Sequence, residues 1–250
     1  MNTRRPEGVI ETLAERDHMV EANPVNYFHN GLAALGNIRV ALAAAGVDDV
    51  RSVLDFACGY GRVLRMLRAE FSEAEIVACD LDRQAVDFCS EVFGVEGAYA
   101  TPDPRDLQIR TDFDLIWCGS LLTHMRRELW PVLLEFFASH LAPGGVAVFT
   151  THGRVIAGWV RDLVAGDGPG ERNPPYNLLR DEILQLLEGF DGHGFGYQDY
   201  PNHENYGFSL SRPDWVAARV LECPPLRLLL LSESGWAGQQ DIVACTKPVK

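Results

Sequence analysis

The feature that most constrains the fold is an alternation of short apolar runs with amphipathic segments between residues 50 and 151. The segments carry apolar residues at three- and four-residue spacing, as at Val63, Leu64 and Leu67, which is typical of helices. The apolar runs stand at 51–56, 76–79, 97–100, 113–117 and 146–151. Strands that alternate with helices form parallel βαβ units. The pattern therefore predicts an α/β domain with a doubly wound, mostly parallel sheet.

The flanking segments complete the expected domain. A helical stripe at 27–45 precedes the alternation, and after residue 152 the chain becomes rich in Gly, Pro, Asn and Asp. That part still suggests a helix at 181–188 and a hairpin formed by 195–200 and 206–210, and loop-rich insertions of this kind are usually lids or binding segments. The C-terminal part predicts a helix at 215–221 and an antiparallel closing pair of strands at 226–231 and 241–246. We therefore expect one domain, 1–250, divided into a helical cover (1–46), a core (50–152), a lid-like insertion (153–210) and a closing segment (211–250).

Charge and composition exclude several classes of function. The chain has 22 Lys plus Arg against 35 Asp plus Glu, a formal net charge of −13, so its surface repels phosphate backbones and anionic lipid headgroups. The charged N-terminus lacks the apolar segment of a signal peptide, and no apolar run is as long as a membrane span. The six cysteines show no CxxC spacing and predict reduced thiols rather than disulfides or a zinc site. These features predict a soluble cytoplasmic protein that binds neither nucleic acid nor membranes.

The turn after the first apolar run is the main candidate for ligand binding. Residues 55–61 read DFACGYG and lie where an open α/β sheet binds its ligands, beyond the carboxyl end of a strand. Gly59 and Gly61 allow a close approach of the backbone to a ligand. The third glycine of a dinucleotide fingerprint is missing, because Ala57 and Leu64 stand at the flanking positions, and a Walker lysine is also missing. Asp55 would oppose a pyrophosphate but suits a cationic amino group.

Residues 53–64, VLDFACGYGRVL, closely resemble motif I of the class I S-adenosylmethionine-dependent methyltransferases. Asp80 follows Asp55 by 25 positions (80 − 55), at the end of the second strand. The resemblance implies that Asp80 accepts hydrogen bonds from the ribose hydroxyls of the donor, that Leu81 packs on its adenine and that Asp103, which fits better than Asp106, meets the adenine amino group. A turn-forming Asp103 beside the prolines is the alternative. Ala57 departs from the family's usual glycine.

Further motifs extend the resemblance over residues 50–152. Residues 113–124, FDLIWCGSLLTH, resemble the fourth motif, which implies that Ser120 lies near the methionine part of the donor. Residues 141–145 resemble the turn before the fifth strand. The family also implies a Rossmann-like, seven-stranded sheet, S-adenosylmethionine as the methyl donor, and an aromatic residue of the N-terminal helix, here Tyr27, over the donor's carboxylate end. A core-facing Tyr27 on an amphipathic helix is the alternative.

Two histidines are candidates for acid–base chemistry. His124 and His152 both follow strands at the carboxyl edge of the sheet, and a neutral imidazole there can take a proton from a hydroxyl. Alternatively, each histidine only hydrogen-bonds a loop or caps a helix. His193 and His203 either reach the site when the insertion closes or are solvated. Their spacing does not predict a metal site.

The sequence therefore predicts methyl transfer from S-adenosylmethionine to a small-molecule acceptor, with oxygen as the preferred acceptor atom because histidine bases are available. Sugar-like and secondary-metabolite acceptors are the classes that the resemblance favours. Two alternatives remain: a non-catalytic module that binds S-adenosylmethionine, and a nucleotide- or NAD-dependent enzyme on a similar sheet. The sequence leaves the oligomeric state open.

Overall fold

A computed structural model of the chain describes residues 4–20, 24–166 and 177–249. The helices of these residues are α1 (Pro24–Ala45), α2 (Leu64–Glu70), α3 (Arg83–Phe93), α4 (Leu129–His140), α5 (Arg154–Ala165), α6 (Arg180–His193) and α7 (Pro213–Leu221). The strands are β1 (Ser52–Phe56), β2 (Glu75–Asp80), β3 (Glu96–Tyr99), β4 (Phe113–Cys118), β5 (Leu141–Thr151), β6 (Phe195–Asp199), β7 (Gly207–Ser211), β8 (Arg227–Trp236) and β9 (Gln240–Thr246). Within the described ranges, none of the helices has the length and apolar content that a membrane crossing requires.

Seven of the strands form the main sheet, in the order β3-β2-β1-β4-β5-β9-β8. The first five are parallel to their neighbours, whereas β9 is antiparallel to both β5 and β8. The predicted α/β class, the seven-stranded and mostly parallel sheet, and the antiparallel closing pair are confirmed. Since strand order reverses beside β1, the carboxyl ends of β1 and β4 form the edge at which such a sheet binds ligands.

Helices cover both faces of the sheet. Alternate residues of β1 belong to two separate apolar clusters: Val53 packs with residues of α1, α2 and α3, whereas Leu54 and Phe56 pack with residues of α4 and α7. The strand is buried along its whole length, as expected for a parallel strand between two helical layers. This burial explains why β1 is mainly apolar, with Ser52 at its start and Asp55 near its end as the polar residues.

Strand β5 is longer than predicted. Residues 141–145, expected as a turn, belong to this strand, because Leu141 pairs with Phe113 and a register shift follows. Gly145 makes the close approach possible, since a Cβ atom at this position would lie 2.6 Å from the carbonyl oxygen of Phe113. The local Pro-Gly-Gly sequence signals a turn, but pairing with β4 on one side of it and β9 on the other extends the strand.

The segment after β5 forms a third cluster beside the main sheet. Helices α5 and α6 pack with residues of the antiparallel pair β6–β7, so the predicted hairpin is confirmed, and α6 is longer than the expected 181–188. The proposed insertion 153–210 includes residues 167–176, which lie outside the described residues. The hairpin is hydrogen-bonded to the main body, where Ser209 Oγ donates to the Leu122 carbonyl (2.9 Å) and Ser211 N to the His152 carbonyl (2.8 Å).

Candidate active site

A cavity of about 540 Å³ lies at the carboxyl edge of the main sheet. Its walls come from the ends of β1, β2 and β4, from the loop after β3 and from the β6–β7 hairpin. Clefts of this size at this edge are typical small-molecule sites. The cavity brings together Asp55, Ala57, Gly59, Asp80 and His124, which are separated in sequence by up to 69 positions (124 − 55).

The turn after β1 is held to β2 by its backbone. Ala57 N and Cys58 N both donate to the Cys79 carbonyl, at 2.8 and 3.1 Å. Gly59 has a φ of +49°, and a Cβ atom there would meet no other atom within 4 Å, so this residue borders the open cavity. Gly61, with a φ of +79°, is not among the described lining residues; a Cβ atom there would lie 2.5 Å from the Phe93 ring. The two glycines therefore serve different purposes, a close approach to the cavity and packing on α3.

Ala57 occupies the left-handed region, with a φ of +65°. This conformation costs a residue with a Cβ atom roughly 1–2 kcal/mol, and glycine avoids that cost. We expect Ala57→Gly to raise the free energy of unfolding, because this strain is relieved. The gain should not exceed about 1 kcal/mol, because glycine also increases the entropy of the unfolded chain. Urea unfolding measures the change.

A matched control is Ala33→Gly inside α1, where the same substitution is expected to lower the free energy of unfolding by about 1 kcal/mol. If both variants are destabilised equally, the left-handed conformation of Ala57 contributes no strain.

Asp55 is a buried carboxyl group with an unsatisfied oxygen. It is 1% exposed, lines the cavity, and its Oδ2 atom has no hydrogen-bond partner. Burial, followed by repulsion from Asp80, raises the pKa of Asp55 to about 8. A buried polar atom without a partner is costly, so the site suits a ligand with a cationic donor group at this point.

Asp80 lies across the turn from Asp55 and is hydrogen-bonded by the backbone. Its Oδ2 accepts from Gly59 N at 2.8 Å and its Oδ1 from Asp82 N at 2.9 Å. The next residue, Leu81, is 61% exposed and borders the cavity. Asp80 thus combines a fixed carboxylate with an adjacent apolar surface at the cavity mouth.

Asp103 forms a turn beside the prolines, which is the alternative to an adenine contact. Its carboxylate forms an ion pair with Arg105 (2.5 Å) and accepts from Arg105 N (3.0 Å), which begins a single 3-10 turn. The hydrogen bonds from Arg105 lower the pKa of Asp103 to about 2. The neighbouring residues Thr101 and Pro102 line the cavity, but Asp103 is not among the described lining residues. The alternating prolines fix a turn in which the acid bonds its own backbone.

Ser120 lies at the end of β4 and is part of a polar network. Its backbone is left-handed, with a φ of +58°, and its N–H donates to Thr150 Oγ1 at 2.7 Å. Thr150 Oγ1 in turn donates to Gln240 Oε1 at 2.6 Å, and Gln240 Nε2 donates to Ser120 Oγ at 3.0 Å. Ser120 borders the cavity, and the network holds it at the junction of β4, β5 and β9.

His124 borders the cavity and is fixed by the hairpin. Its Nδ1 lies 2.9 Å from the Gly207 carbonyl oxygen and 2.8 Å from the Tyr200 hydroxyl. A carbonyl can only accept, so Nδ1 carries the proton and Nε2 is the basic nitrogen of the neutral ring. Burial lowers the pKa of His124 below its usual value. The imidazole is therefore neutral at physiological pH and is able to receive a proton.

His152 lies behind His124, with ring centroids 6.3 Å apart, and stacks on Phe208 at 4.7 Å. Burial, followed by the proximity of His124, lowers the pKa of His152 to about 3. His152 is not among the described residues that line the cavity. Its position after β5 places His152 at the carboxyl edge of the sheet, as expected, but the β6–β7 hairpin covers its side chain.

Tyr27 is 2% exposed and likewise is not among the described lining residues. Its ring packs under the buried Arg65 guanidinium, 5.2 Å from its centroid, and burial, followed by a hydrogen bond to Asp17, raises the pKa of the phenol. Arg65 also donates to the carbonyls of Ile10 and Thr12, at 2.7 and 3.0 Å. The side chain of Tyr27 therefore lies in the core, as in the core-facing interpretation. Tyr27 and Arg65 together hold the N-terminal segment in place.

Several lining residues were not identified from the sequence. Asp17 and Met19 come from the N-terminal segment, Tyr206 from the hairpin loop, and Arg62 lies 5.1 Å above the ring of Trp236. His203, considered either as a lid histidine or as solvated, also borders the cavity. No local pattern marks these residues, because tertiary packing brings them to the site.

Among the described residues, no group of His, Cys, Asp and Glu is arranged to hold a metal ion.

Comparison with known proteins identifies the domain. Residues 53–145 match the family model for a methyltransferase domain. A solved S-adenosylmethionine-dependent methyltransferase from Clostridium acetobutylicum has the same fold, with a TM-score of 0.55, 16% identity, and coverage of 93% of this chain and 96% of that one. The solved complex of DhpI with SAH superposes with a TM-score of 0.54 at 14% identity, over 94% of this chain and 93% of that one.

A curated relative is the dTDP-4-amino-2,3,4,6-tetradeoxy-D-glucose N,N-dimethyltransferase of Saccharopolyspora spinosa, 32% identical over 136 residues. The match covers 52% of this chain and 53% of the relative, so the chain spans about half the length of that protein. The family match covers the turn after β1 and the strands whose ends form the cavity. Residues 53–145 therefore form a methyltransferase domain, and the chain has the fold of solved S-adenosylmethionine-dependent methyltransferases.

Proposed function

We propose that the protein transfers a methyl group from S-adenosylmethionine to a small-molecule acceptor. The observation that carries the proposal is the pair Asp55 and Asp80 on either side of the Gly59 turn, with Asp55 Oδ2 buried and without a partner. A carboxylate pair at this place opposes the pyrophosphate of a dinucleotide but complements an ammonium group and two vicinal hydroxyls.

The residues present fit the donor. Asp55 would bind the α-amino group, Asp80 the ribose hydroxyls, and Leu81 would pack on the adenine, with Thr101 and Pro102 beside it. Ser120 is held where the methionine part would lie, and we keep Asp103 as a second adenine contact that requires its release from Arg105. The donor supplies an activated methyl group, so the chain's own residues mainly orient the acceptor and exclude water.

We propose oxygen as the acceptor atom, because His124 presents a neutral imidazole at the cavity and is able to take the hydroxyl proton. An amine nitrogen is the second candidate for the acceptor atom. It is favoured by the relative from S. spinosa, whose name specifies N,N-dimethylation of an amino sugar nucleotide. We also propose the division of labour expected from the sequence, with the donor bound by 50–152, the segments 1–46 and 153–210 over the cavity, and 211–250 closing the sheet.

The test is binding followed by turnover. Titration calorimetry should show that S-adenosylmethionine and S-adenosylhomocysteine bind, and that NAD and ATP bind far more weakly. Comparable NAD affinity would favour the nucleotide-dependent alternative. Incubation with S-adenosylmethionine and acceptors, with detection of S-adenosylhomocysteine, separates an enzyme from a non-catalytic binding module.

Binding of the donor is expected to release a proton from Asp55. With a pKa of about 8, this carboxyl group is mostly protonated at pH 7, and an ammonium group placed beside it lowers that pKa and favours ionisation. Calorimetry of S-adenosylhomocysteine binding at pH 6.5 in buffers of different ionisation enthalpy should show release of close to one proton. As pH rises through 8 the free carboxyl is already ionised, so the release should disappear.

The matched variant is Asp55→Asn, which keeps the shape but not the titration. We expect weaker binding and no proton release from this variant. Equal proton release by the parent and Asp55→Asn would assign the proton to another group.

A further inference from the structure

The inference concerns the wall of the cavity that the hairpin supplies, and it rests on the proposed function. The loop between β6 and β7 contributes His203 and Tyr206, which line the cavity together with Leu121, His124 and Met125. Hairpin and main body are joined at His124, whose Nδ1 contacts the Gly207 carbonyl and the Tyr200 hydroxyl. This part of the wall is therefore fixed relative to the end of β4 and is distinct from the Asp55–Asp80 turn.

The surface of this wall is largely aromatic. The Tyr206 ring lies 4.8 Å from the His124 ring at an interplanar angle of 35°, 5.5 Å from Tyr200 and 6.3 Å from His203. Tyr206 remains 41% exposed, so part of its ring is available to a ligand. Aromatic rings prefer to pack on other rings in offset or edge-on contacts, and the apolar side chains of Leu121 and Met125 add to the same surface.

The chemistry of His124 selects among hydroxyl acceptors. Burial makes this imidazole a weaker base than usual, and proton transfer becomes less favourable as the difference in acidity grows. A phenol has a pKa of about 10, like that of tyrosine. The gap between this pKa and that of His124 is smaller than the gap for an aliphatic or sugar hydroxyl. Both the aromatic wall and the weak base thus favour the same class of acceptor.

We propose that the acceptor is a phenol, whose ring packs against Tyr206 and His203 and whose hydroxyl lies at His124. In the reaction the phenolic O–H bond breaks and its proton passes to His124 Nε2. The oxygen bonds to the methyl carbon of the donor, and the electron pair of the broken carbon–sulfur bond stays on sulfur. The imidazolium then returns its proton to solvent.

The experiment compares matched acceptors. The full chain is incubated with S-adenosylmethionine and phenol, catechol, naphthol and substituted phenols, with the corresponding cyclohexanols, with anilines and with a dTDP-amino sugar. We expect S-adenosylhomocysteine from phenols and at least a hundredfold less from the cyclohexanols. Intact donor binding without turnover of any phenol, or with turnover of the amino sugar alone, overturns the assignment. Absence of donor binding refutes the proposed function itself.

Variants of the wall locate the subsite. Tyr206→Leu and His203→Ala should each raise the KM for the phenol roughly 2- to 10-fold, the effect of one aromatic contact, with unchanged affinity for S-adenosylhomocysteine. His193→Ala is the matched control, since His193 is an exposed histidine of the same region that does not border the cavity. An unchanged KM in both wall variants, or an equal change in His193→Ala, contradicts the placement.

Discussion

Replacing Asp80 by alanine is expected to weaken binding of S-adenosylhomocysteine by about 1–3 kcal/mol, or roughly 5- to 150-fold in Kd. In the proposed complex the ribose hydroxyls donate to this carboxylate, and the substitution leaves them in the cavity without a charged acceptor. The Gly59 and Asp82 backbone N–H groups also lose the acceptor that fixes the turn. Titration calorimetry at constant pH measures the loss.

Two further variants separate binding from folding. Asp80→Asn keeps one carbonyl oxygen and should lose less affinity than Asp80→Ala. Asp87→Ala removes an exposed carboxylate of α3 that accepts from the Tyr99 hydroxyl, and its affinity should equal that of the parent. Binding by Asp80→Ala within twofold of the parent would mean that the ribose site lies elsewhere.

The sheet and the turn after β1 were predictable because their determinants are local. A strand buried on both faces is mainly apolar, so Val53, Leu54 and Phe56 mark β1. The carboxyl group of Asp55, near the end of the strand, marks the position where the sheet meets the cavity. Gly59 needs positive φ beside open space. Each of these requirements restricts the residue type at a single position, and a sequence records such restrictions directly.

The directions of side chains depend on distant partners and were harder to predict. Asp103 has the expected place in the chain, but Arg105 two residues later attracts its carboxylate. Tyr27 lies on the expected helix, yet the buried Arg65 holds its ring in the core. In both cases a nearby arginine determines the orientation of the side chain. Spacing in the sequence alone does not predict which partner a side chain contacts.

The two histidines show the same limit. Both follow strands of the main sheet, and both stand at its carboxyl edge, as their positions in the sequence indicate. The β6–β7 hairpin separates them: it leaves His124 at the cavity and covers His152 with Phe208. The difference between a candidate base and a buried neutral ring therefore arises from a segment more than 50 residues later in the chain (207 − 152 = 55).

His124→Ala is expected to lower the rate of methyl transfer by about 10²–10⁴, the usual contribution of one general base. Donor affinity should stay nearly unchanged, because the imidazole is hydrogen-bonded to the β6–β7 hairpin and is not part of the Asp55–Asp80 turn. In the parent, activity should persist below pH 6.5 and then fall as His124 becomes protonated, since burial lowers its pKa. Single-turnover measurements at saturating donor and acceptor, from pH 5 to 8, give both results.

The residual activity of His124→Ala should lack that acidic limb, which loss of a merely structural histidine would not remove. His152→Ala serves as the comparison: its imidazole is buried away from the cavity, and with a pKa of about 3 it stays neutral over the same range. We therefore expect a loss below tenfold for His152→Ala, with the acidic limb retained. If His124→Ala also loses less than tenfold, neither imidazole is the base, and catalysis would rest on the orientation of the acceptor alone.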